Sequence, residues 1–428
     1  MSKLIAISLN PNIQKVDLAA SLRAYLRLFT LGLGSAIKKY EEQFSQLFGP
    51  EYEAVSFYSG RAAWYAILSS LGVHTGDEVL IPAFTCVAVV NPIRWLGAKP
   101  IYVDVTDDFI MDLHDASKKV TPQTKVILAQ HTFGRSVDFN TYKQFAQKHN
   151  LKIVEDCAHS LGTLYEGAQT GTLGDVSFFS FGRDKCISAG SGGIALTKDS
   201  NMHIRLRKVN KMFFPPYITQ VYFDVLYIWL IECIYFLYKI SPVLSKGVHK
   251  TLLFLNIIKT ANSVYEKRGV KDESVLRKWH PVLATLALEQ IKRVGEFTKH
   301  RRTRAEMYHK ALEELEDQKK VIRPLFSYDQ SWLRYSVLVD DPVSLRTYAS
   351  NHGVVLGDWY DQVVGPKNVN LSAIGYENGS CPHAEELSKH VVNLPTGPRV
   401  SEKDAEKVIE VVKDFFTMTN DQLPINIK

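Results

Sequence analysis

The chain has 428 residues, 46% of them hydrophobic and 22% charged, a composition that excludes a disordered protein and leaves room for two domains. The formal net charge of +6 is not gathered into a stripe. The one basic cluster, Lys299–Arg304, reads as the solvated face of a helix, so no nucleic-acid partner is expected. Five cysteines, an odd number without CxxC spacing, argue against a disulfide framework or a zinc site and predict a reducing cytoplasm and no metal.

The N-terminal MSKLIAISLNPN carries too short an apolar run for an export signal. Leu22 to Phe48 predicts a helical region interrupted at Gly32 and Gly34 and closed by Gly49–Pro50. Ala54–Phe57 reads as a strand, Tyr58-Ser59-Gly60 as a turn and Arg61–Leu71 as an apolar helix. A helix N-terminus behind a glycine turn offers free backbone N–H groups to a phosphate, although such turns are common. Gly76 to Val105 gives strand, helix and strand. Val126–Gln130, a helix over Asp138–His149 and Ile153–Val154 continue the alternation. Repeated units of this size predict a mostly parallel sheet with helices on both faces. Sites in such sheets lie at the carboxyl ends of the strands, where Gly60, Thr85, His131, Asp156 and Lys185 fall. For His131 two readings stand, a strand-end histidine satisfied by backbone and a cofactor contact.

Leu151 to Thr197 is the stretch that carries chemistry. Its first apolar run ends on Glu155 and Asp156, glycines break the middle, and a second run ends just before Arg183, Asp184 and Lys185. That places a carboxylate and an amine at neighbouring strand ends. Such a pair suits pyridoxal phosphate, whose aldehyde condenses with a lysine and whose pyridine nitrogen needs an anion to remain protonated. Glu155 reads as structural; Arg183 and Asp184 read as a local ion pair, with contact to substrate as the alternative.

EDCAHS at Glu155–Ser160, GTLGD at Gly171–Asp175 and FSFGRDK at Phe179–Lys185 resemble the DegT/DnrJ/StrS family of sugar aminotransferases, from about Gly34 to the C-terminus. The resemblance implies an α/β fold of the aspartate aminotransferase (type I) class, a large mostly parallel domain with a smaller C-terminal α/β domain. It implies pyridoxal 5'-phosphate as cofactor, anchored by Lys185, with Asp156 at the pyridine nitrogen, His159 at the ring hydroxyl and Ser180 at a phosphate oxygen. Ser59 and Gly60 align with the family's phosphate-binding SGT. Arg61 stands where that motif has Thr, so a hydroxyl is lost and a cation gained. Cys86 stands where many members stack an aromatic residue on the ring. Leu276 aligns with an Asn that reaches the neighbouring subunit's cofactor phosphate. Tyr360, in GDWYDQ, aligns with a substrate-facing loop, although packing is the commoner role of such a residue.

Arg205 to Arg268 has no counterpart in the common family pattern. Tyr217 to Ile240 and Val243 to Ile258 predict a hydrophobic helical hairpin. In the first helix Gln220, Asp224, Glu232 and Lys239 share a stripe with Tyr217, Tyr235 and Tyr238, opposite Leu226, Trp229 and Phe236. Two readings stand: the hairpin packs on the subunit or its dimer partner, or it lies flat on the membrane's inner face with its acidic stripe in water. Helical periodicity then runs from Trp279 to Leu315. Ser331–Val339, Pro342–His352 and Val354–Tyr360 alternate strand, helix and strand. Val391–Leu394 and a helix over Ser401–Phe416 complete the chain.

The expected organisation is an N-terminal arm and cofactor domain over 1–275, with the insertion at about 205–268, and a linking helix and small domain over 276–428. By resemblance the chain is a homodimeric transaminase that passes an amino group, expected from glutamate, to a nucleotide-linked keto-sugar for cell-surface polysaccharide synthesis. Lys185 favours transamination over dehydration, for which relatives carry histidine. The alternative is a catalytically silent binding or regulatory protein on the same fold, for which Cys86 and Leu276 speak.

Overall fold

The computed structural model describes residues 3–9, 11–26, 34–255, 257–258 and 260–418. Seven strands build the central sheet: β1 (Glu53–Phe57), β2 (Glu78–Pro82), β3 (Lys99–Val103), β4 (Thr124–Gln130), β5 (Lys152–Asp156), β6 (Val176–Ser180) and β7 (Gly193–Thr197). Their order across the sheet is β1-β7-β6-β5-β4-β2-β3. Only β7 among them runs against the rest, pairing antiparallel with both β1 and β6. Apolar side chains on both faces, as in the fully buried β2, suit strands covered by helices on each side. One face packs the cluster of Trp64, Ile67, Val90 and Phe178, and the other face includes Leu80, Ile127 and Tyr142.

The helices used below are α1 (Lys15–Leu26), α2 (Gly34–Gln46), α3 (Gly60–Ser70), α4 (Val87–Trp95), α5 (Phe139–His149), α6 (Ser200–Met212), α7 (Ile218–Ile240), α8 (Pro242–Phe254), α9 (Pro281–Ile291) and α10 (Val294–Ala311). The helical region expected over Leu22–Phe48 is thus two helices, the first starting earlier at Lys15; Gly32 lies outside the described residues. The long helix expected from Trp279 is divided at Lys292–Arg293. There Arg293 turns back to Gln14 (2.6 Å) and pairs with Asp17. The strand expected over Val354–Tyr360 stops at Val355, and the chain turns so that Trp359 and Tyr360 reach the large sheet's edge. Ile5–Ala6 pairs in parallel with Val354–Val355, and Ile5 joins Tyr308, Trp332, Tyr335 and Phe415 in the core of the C-terminal part.

The hydrophobic hairpin forms as α7 and α8, and α7 packs against α1 and α9 through Val221, Val225 and Ile228. Its orientation is the reverse of the flat-lying reading. Asp224 is buried, accepts a hydrogen bond from the Tyr58 hydroxyl and faces Arg183 at 3.8 Å, while Glu232 forms a two-pronged pair with Arg399. The acidic stripe faces the protein because partners wait there, and on the opposite face Phe236 is exposed while Leu226 and Trp229 are half-buried.

Candidate active site

Strand register brings the chemistry to one edge. Phe178 of β6 lies level with Asp156 of β5, and Asp156 with Gln130 of β4, so Asp156 and the loop after Ser180 emerge side by side. The lysine loop is pinned from distant parts of the chain. Asn12, fully buried, donates its amide to the carbonyls of Lys185 and Cys186 (3.2 Å) and to Ser188 Oγ (2.8 Å), and its own oxygen accepts from Arg301 of α10. Gln290 of α9 grips Ser188 through both backbone groups (2.8 and 2.9 Å).

Lys185 Nζ lies 2.8 Å from His159 Nε2 and 4.7 Å from the centre of the Trp359 ring. The His159 ring is sandwiched between Trp359 and Phe133, with centroids 5.6 and 6.1 Å away. Its Nδ1 accepts the Phe133 N–H (3.3 Å), which leaves the ring proton on Nε2, directed at the lysine. A nitrogen receiving that proton needs a lone pair, so this contact suits a Lys185 amine that accepts rather than donates. The electrostatics agree. Desolvation, helped by Arg334, pulls Lys185 below the usual lysine range against the opposing pull of Asp184 and Asp156. Desolvation, with Lys185 and Arg334 nearby, holds His159 well below the usual histidine range. Burial raises Asp156, although the Ala158 N–H (2.9 Å), Lys185 and His131 oppose it.

Glu155, beside Asp156, has a different task. It is fully buried and accepts the N–H groups of Gly171 (2.7 Å), Leu173 and Gly174 (both 2.8 Å), and His131 Nε2 sits 3.1 Å away. His131 Nδ1 accepts the Val137 N–H (3.3 Å). Both ring nitrogens are therefore engaged within the protein, one by backbone and the other by the Glu155 carboxylate. Cys157 lies near enough to make a metal-type cluster with these two, but their polar atoms are occupied by one another and by backbone.

A second part of the site is the N-terminus of α3. Ser59 caps it, accepting the Ala62 N–H (3.1 Å) and donating to the Val275 carbonyl (3.0 Å), so its hydroxyl is committed to structure. Gly60 lies against Ser180: a Cβ at 60 would come within 2.9 Å of the Ser180 Cβ and 3.2 Å of its Oγ. Gly193 of β7 is closer still, since a Cβ there would stand 2.4 Å from Gly60 N. Cys86 caps α4 through its sulfur (Ala88 N, 3.5 Å) and lies 3.9 Å from Asn262 Oδ1. The Arg61 guanidinium pairs with the buried Glu266 and donates to the Ala261 carbonyl (3.1 Å).

These last contacts come from the inserted segment. Its return leg, residues 260–275, lies beside the N-termini of α3 and α4, where Asn91 donates to Glu266 O (3.0 Å), and just beyond it Arg277 O accepts the Tyr58 N–H (3.0 Å). Leu276 is buried in the core of the large sheet. Arg183 and Asp184 do not pair with each other. Arg183 faces Asp224 and stacks on Tyr227 (3.7 Å), while Asp184 binds Arg334 at 2.8 Å. Arg334 in turn lies 3.3 Å over Trp359. Tyr360 is packing, buried against Phe84 and Phe133, whereas its neighbour Trp359 meets the lysine. Trp359, Arg334 and Asn12 carry no local signal in the sequence beyond GDWY itself.

The arrangement fits a phosphorylated pyridine aldehyde. A neutral amine can condense with it, a buried carboxylate can face its nitrogen, and a helix N-terminus kept free of side chains beside a serine can take its phosphate. Comparison with known proteins agrees. GDP-perosamine synthase of Escherichia coli O157:H7 is 37% identical over 173 residues, covering 40% of this chain and 47% of that enzyme. Thus this match spans about half the length of that relative. GDP-perosamine synthase of Vibrio cholerae is 26% identical over 392 residues, covering 90% of this chain and 91% of that enzyme. The fold matches that of NtdA from Bacillus subtilis, solved with bound cofactor PMP, with a TM-score of 0.73 at 21% identity over 98% of this chain and 86% of that one. The pattern of the DegT/DnrJ/EryC1/StrS aminotransferase family matches residues 12–215 and 276–413, leaving 216–275 as the insertion, and the chain belongs to that family.

Proposed function

We propose that the chain transfers an amino group, from glutamate as donor, to a nucleotide-linked keto-sugar in the synthesis of a surface polysaccharide or glycoconjugate. The relatives named as GDP-perosamine synthases support the sugar, and Lys185 beside Asp156 carries the reaction class. Pyridoxal phosphate is the cofactor, and when bound it supplies an electron sink conjugated to the substrate carbon. Lys185 would hold its aldehyde carbon, Asp156 its pyridine nitrogen, and the Gly60 and Arg61 N–H groups with Ser180 its phosphate. Ser59 contributes through backbone and cap. Trp359, beside Lys185 and His159, would supply the aromatic surface that Cys86 does not, and His159 would meet the ring oxygen.

With the cofactor bound, the Lys185 amine would be the group placed to accept and return the proton of the substrate α-carbon. Burial serves that task, because desolvation pulls the amine below the usual lysine range and so eases the loss of its own proton. The Asp184–Arg334 pair fixes the loop beside it. We further propose a division into a cofactor domain over 1–275 and a smaller domain over 276–428, a homodimer, and a cytoplasmic setting peripheral to the membrane. A visible absorbance band that shifts on adding glutamate, with labelled nitrogen recovered in an amino-sugar nucleotide, is the expected result. A band that glutamate leaves unchanged would favour a silent binding protein.

A further inference from the structure

From Cys233 to Tyr265 the sequence contains no aspartate or glutamate but four lysines, Lys239, Lys246, Lys250 and Lys259. The same stretch holds much of the molecule's exposed apolar surface. On α7, Phe236 and Ile240 are 63% and 64% exposed, and on α8, Val243 and Phe254 are 82% and 89% exposed. Between those two on α8 lie the exposed Lys246, Gly247 and Lys250, and a side chain at 247 would meet nothing within 4 Å. Helix α8 is held to α7 by the opposite side, where the buried Ser245 donates to Ile234 O at 2.8 Å.

We propose that this outer face of the hairpin binds the surface of an anionic lipid bilayer. The apolar side chains would enter the boundary between head groups and acyl chains, and the lysines would meet lipid phosphates. Charge decides against a second copy of the chain, because the buried centre of a protein interface is depleted in lysine, whereas lysines among apolar side chains suit a lipid boundary. Burial decides against a spanning helix. Although α7 is 23 residues long and apolar, Asp224 and Glu232 tie it to Tyr58, Arg183 and Arg399 of the domain. Turning those acids inward also leaves the outer face with cations alone. This surface does not depend on the transamination reading.

The test uses full-length protein floated with phosphatidylcholine vesicles and with phosphatidylcholine–phosphatidylglycerol vesicles. The wild type should float with the anionic vesicles and stay largely in solution with the neutral ones. K246Q/K250Q should bind about twenty-five-fold more weakly, about five-fold for each charge removed. V243S/F254S should also lose binding. These positions are exposed, so unchanged thermal melting and unchanged sedimentation show that fold and assembly persist. Wild type that stays in solution with anionic vesicles, or variants that float as well as wild type, would overturn the proposal. So would a V243S/F254S variant that sediments as a smaller species, because the face would then join two copies.

Discussion

The lysine loop and the return leg of the insertion both lie at the carboxyl edge of the sheet, yet they handle charge in opposite ways. Around Lys185 and His159 the ionisable groups touch one another with no counter-ion among the described residues in direct contact with either, and desolvation moves them toward neutrality. In the insertion each buried charge meets its opposite: Asp224 faces Arg183, Glu232 holds Arg399 and Glu266 holds Arg61. A shifted group stands ready to exchange a proton, and a paired one is fixed. The first region is built to react and the second to hold a shape that the family pattern does not supply.

Altering the lysine should give the largest effect. Lys185→Ala should lower turnover by about 10⁴-fold, because it removes both anchor and proton carrier. Borohydride reduction of the wild type should place the pyridoxyl label on Lys185 by peptide mapping. A label on Lys198 or Lys208 would sink the assignment.

The two adjacent acids sharpen the contrast within a single strand. Asp156→Asn should reduce kcat by about 100-fold or more while leaving the melting temperature nearly unchanged. Glu155→Gln should do the reverse. An amide presents one acceptor oxygen where the carboxylate serves three backbone N–H groups, and each donor left unpaired costs about 1–3 kcal/mol. Calorimetry and steady-state rates on both variants check this; equal melting temperatures would refute the division of roles.

In the insertion, Glu266→Gln should destabilise the protein by about 3 kcal/mol, because it strands the Arg61 guanidinium beside the sheet. Denaturant unfolding measures it, and Arg61→Leu combined with Glu266→Gln should recover part of the loss. A single variant as stable as wild type would show that the pair is not what holds the return leg.

The smallest effect is on pH. His159 is held neutral in the fold, its pKa lowered by burial, so below the unfolded value near 6.5 the unfolded chain takes up a proton that the folded chain refuses. Stability of the cofactor-free protein should therefore fall as pH drops through 6.5, by up to about 1.4 kcal/mol per pH unit for each such group. His249, His280, His300 and His309 are lowered by burial and add to the slope. His159→Gln should flatten it measurably. An unchanged slope would mean that this ring is not the neutral donor inferred here.

Much of this was legible before any coordinates. The strand–helix alternation fixes a parallel sheet, and the acid and lysine at its strand ends fix the centre, because both signals are local in the chain. Trp359, Arg334 and Asn12 escaped because each reaches Lys185 from far away in sequence: a tryptophan or asparagine in a loop looks the same whether or not it meets a lysine. The hairpin is legible as amphipathic, and of its two readings the one that packs it on the subunit holds, whereas the flat-lying one turns the acidic stripe the wrong way. Periodicity divides a helix into two faces, and only the partners, here Tyr58, Arg183 and Arg399, decide which face is covered. Arg183 and Asp184 were misread for the same reason, since neighbours in sequence on a tight loop point to different elements.

The contact between Gly193 and the first turn of α3 has a consequence for how such an enzyme can change. Main chain meets main chain there, with no side chain between to lengthen, shorten or recharge. The depth of the proposed anion seat is therefore set by a mechanical stop and lies beyond the reach of ordinary substitution. Whatever diversifies in this enzyme has to do so around the rim, through Arg61, Asn262 and the return leg. If the first turn of α3 holds the phosphate as proposed, that gauge would pass unaltered from one sugar specificity to the next.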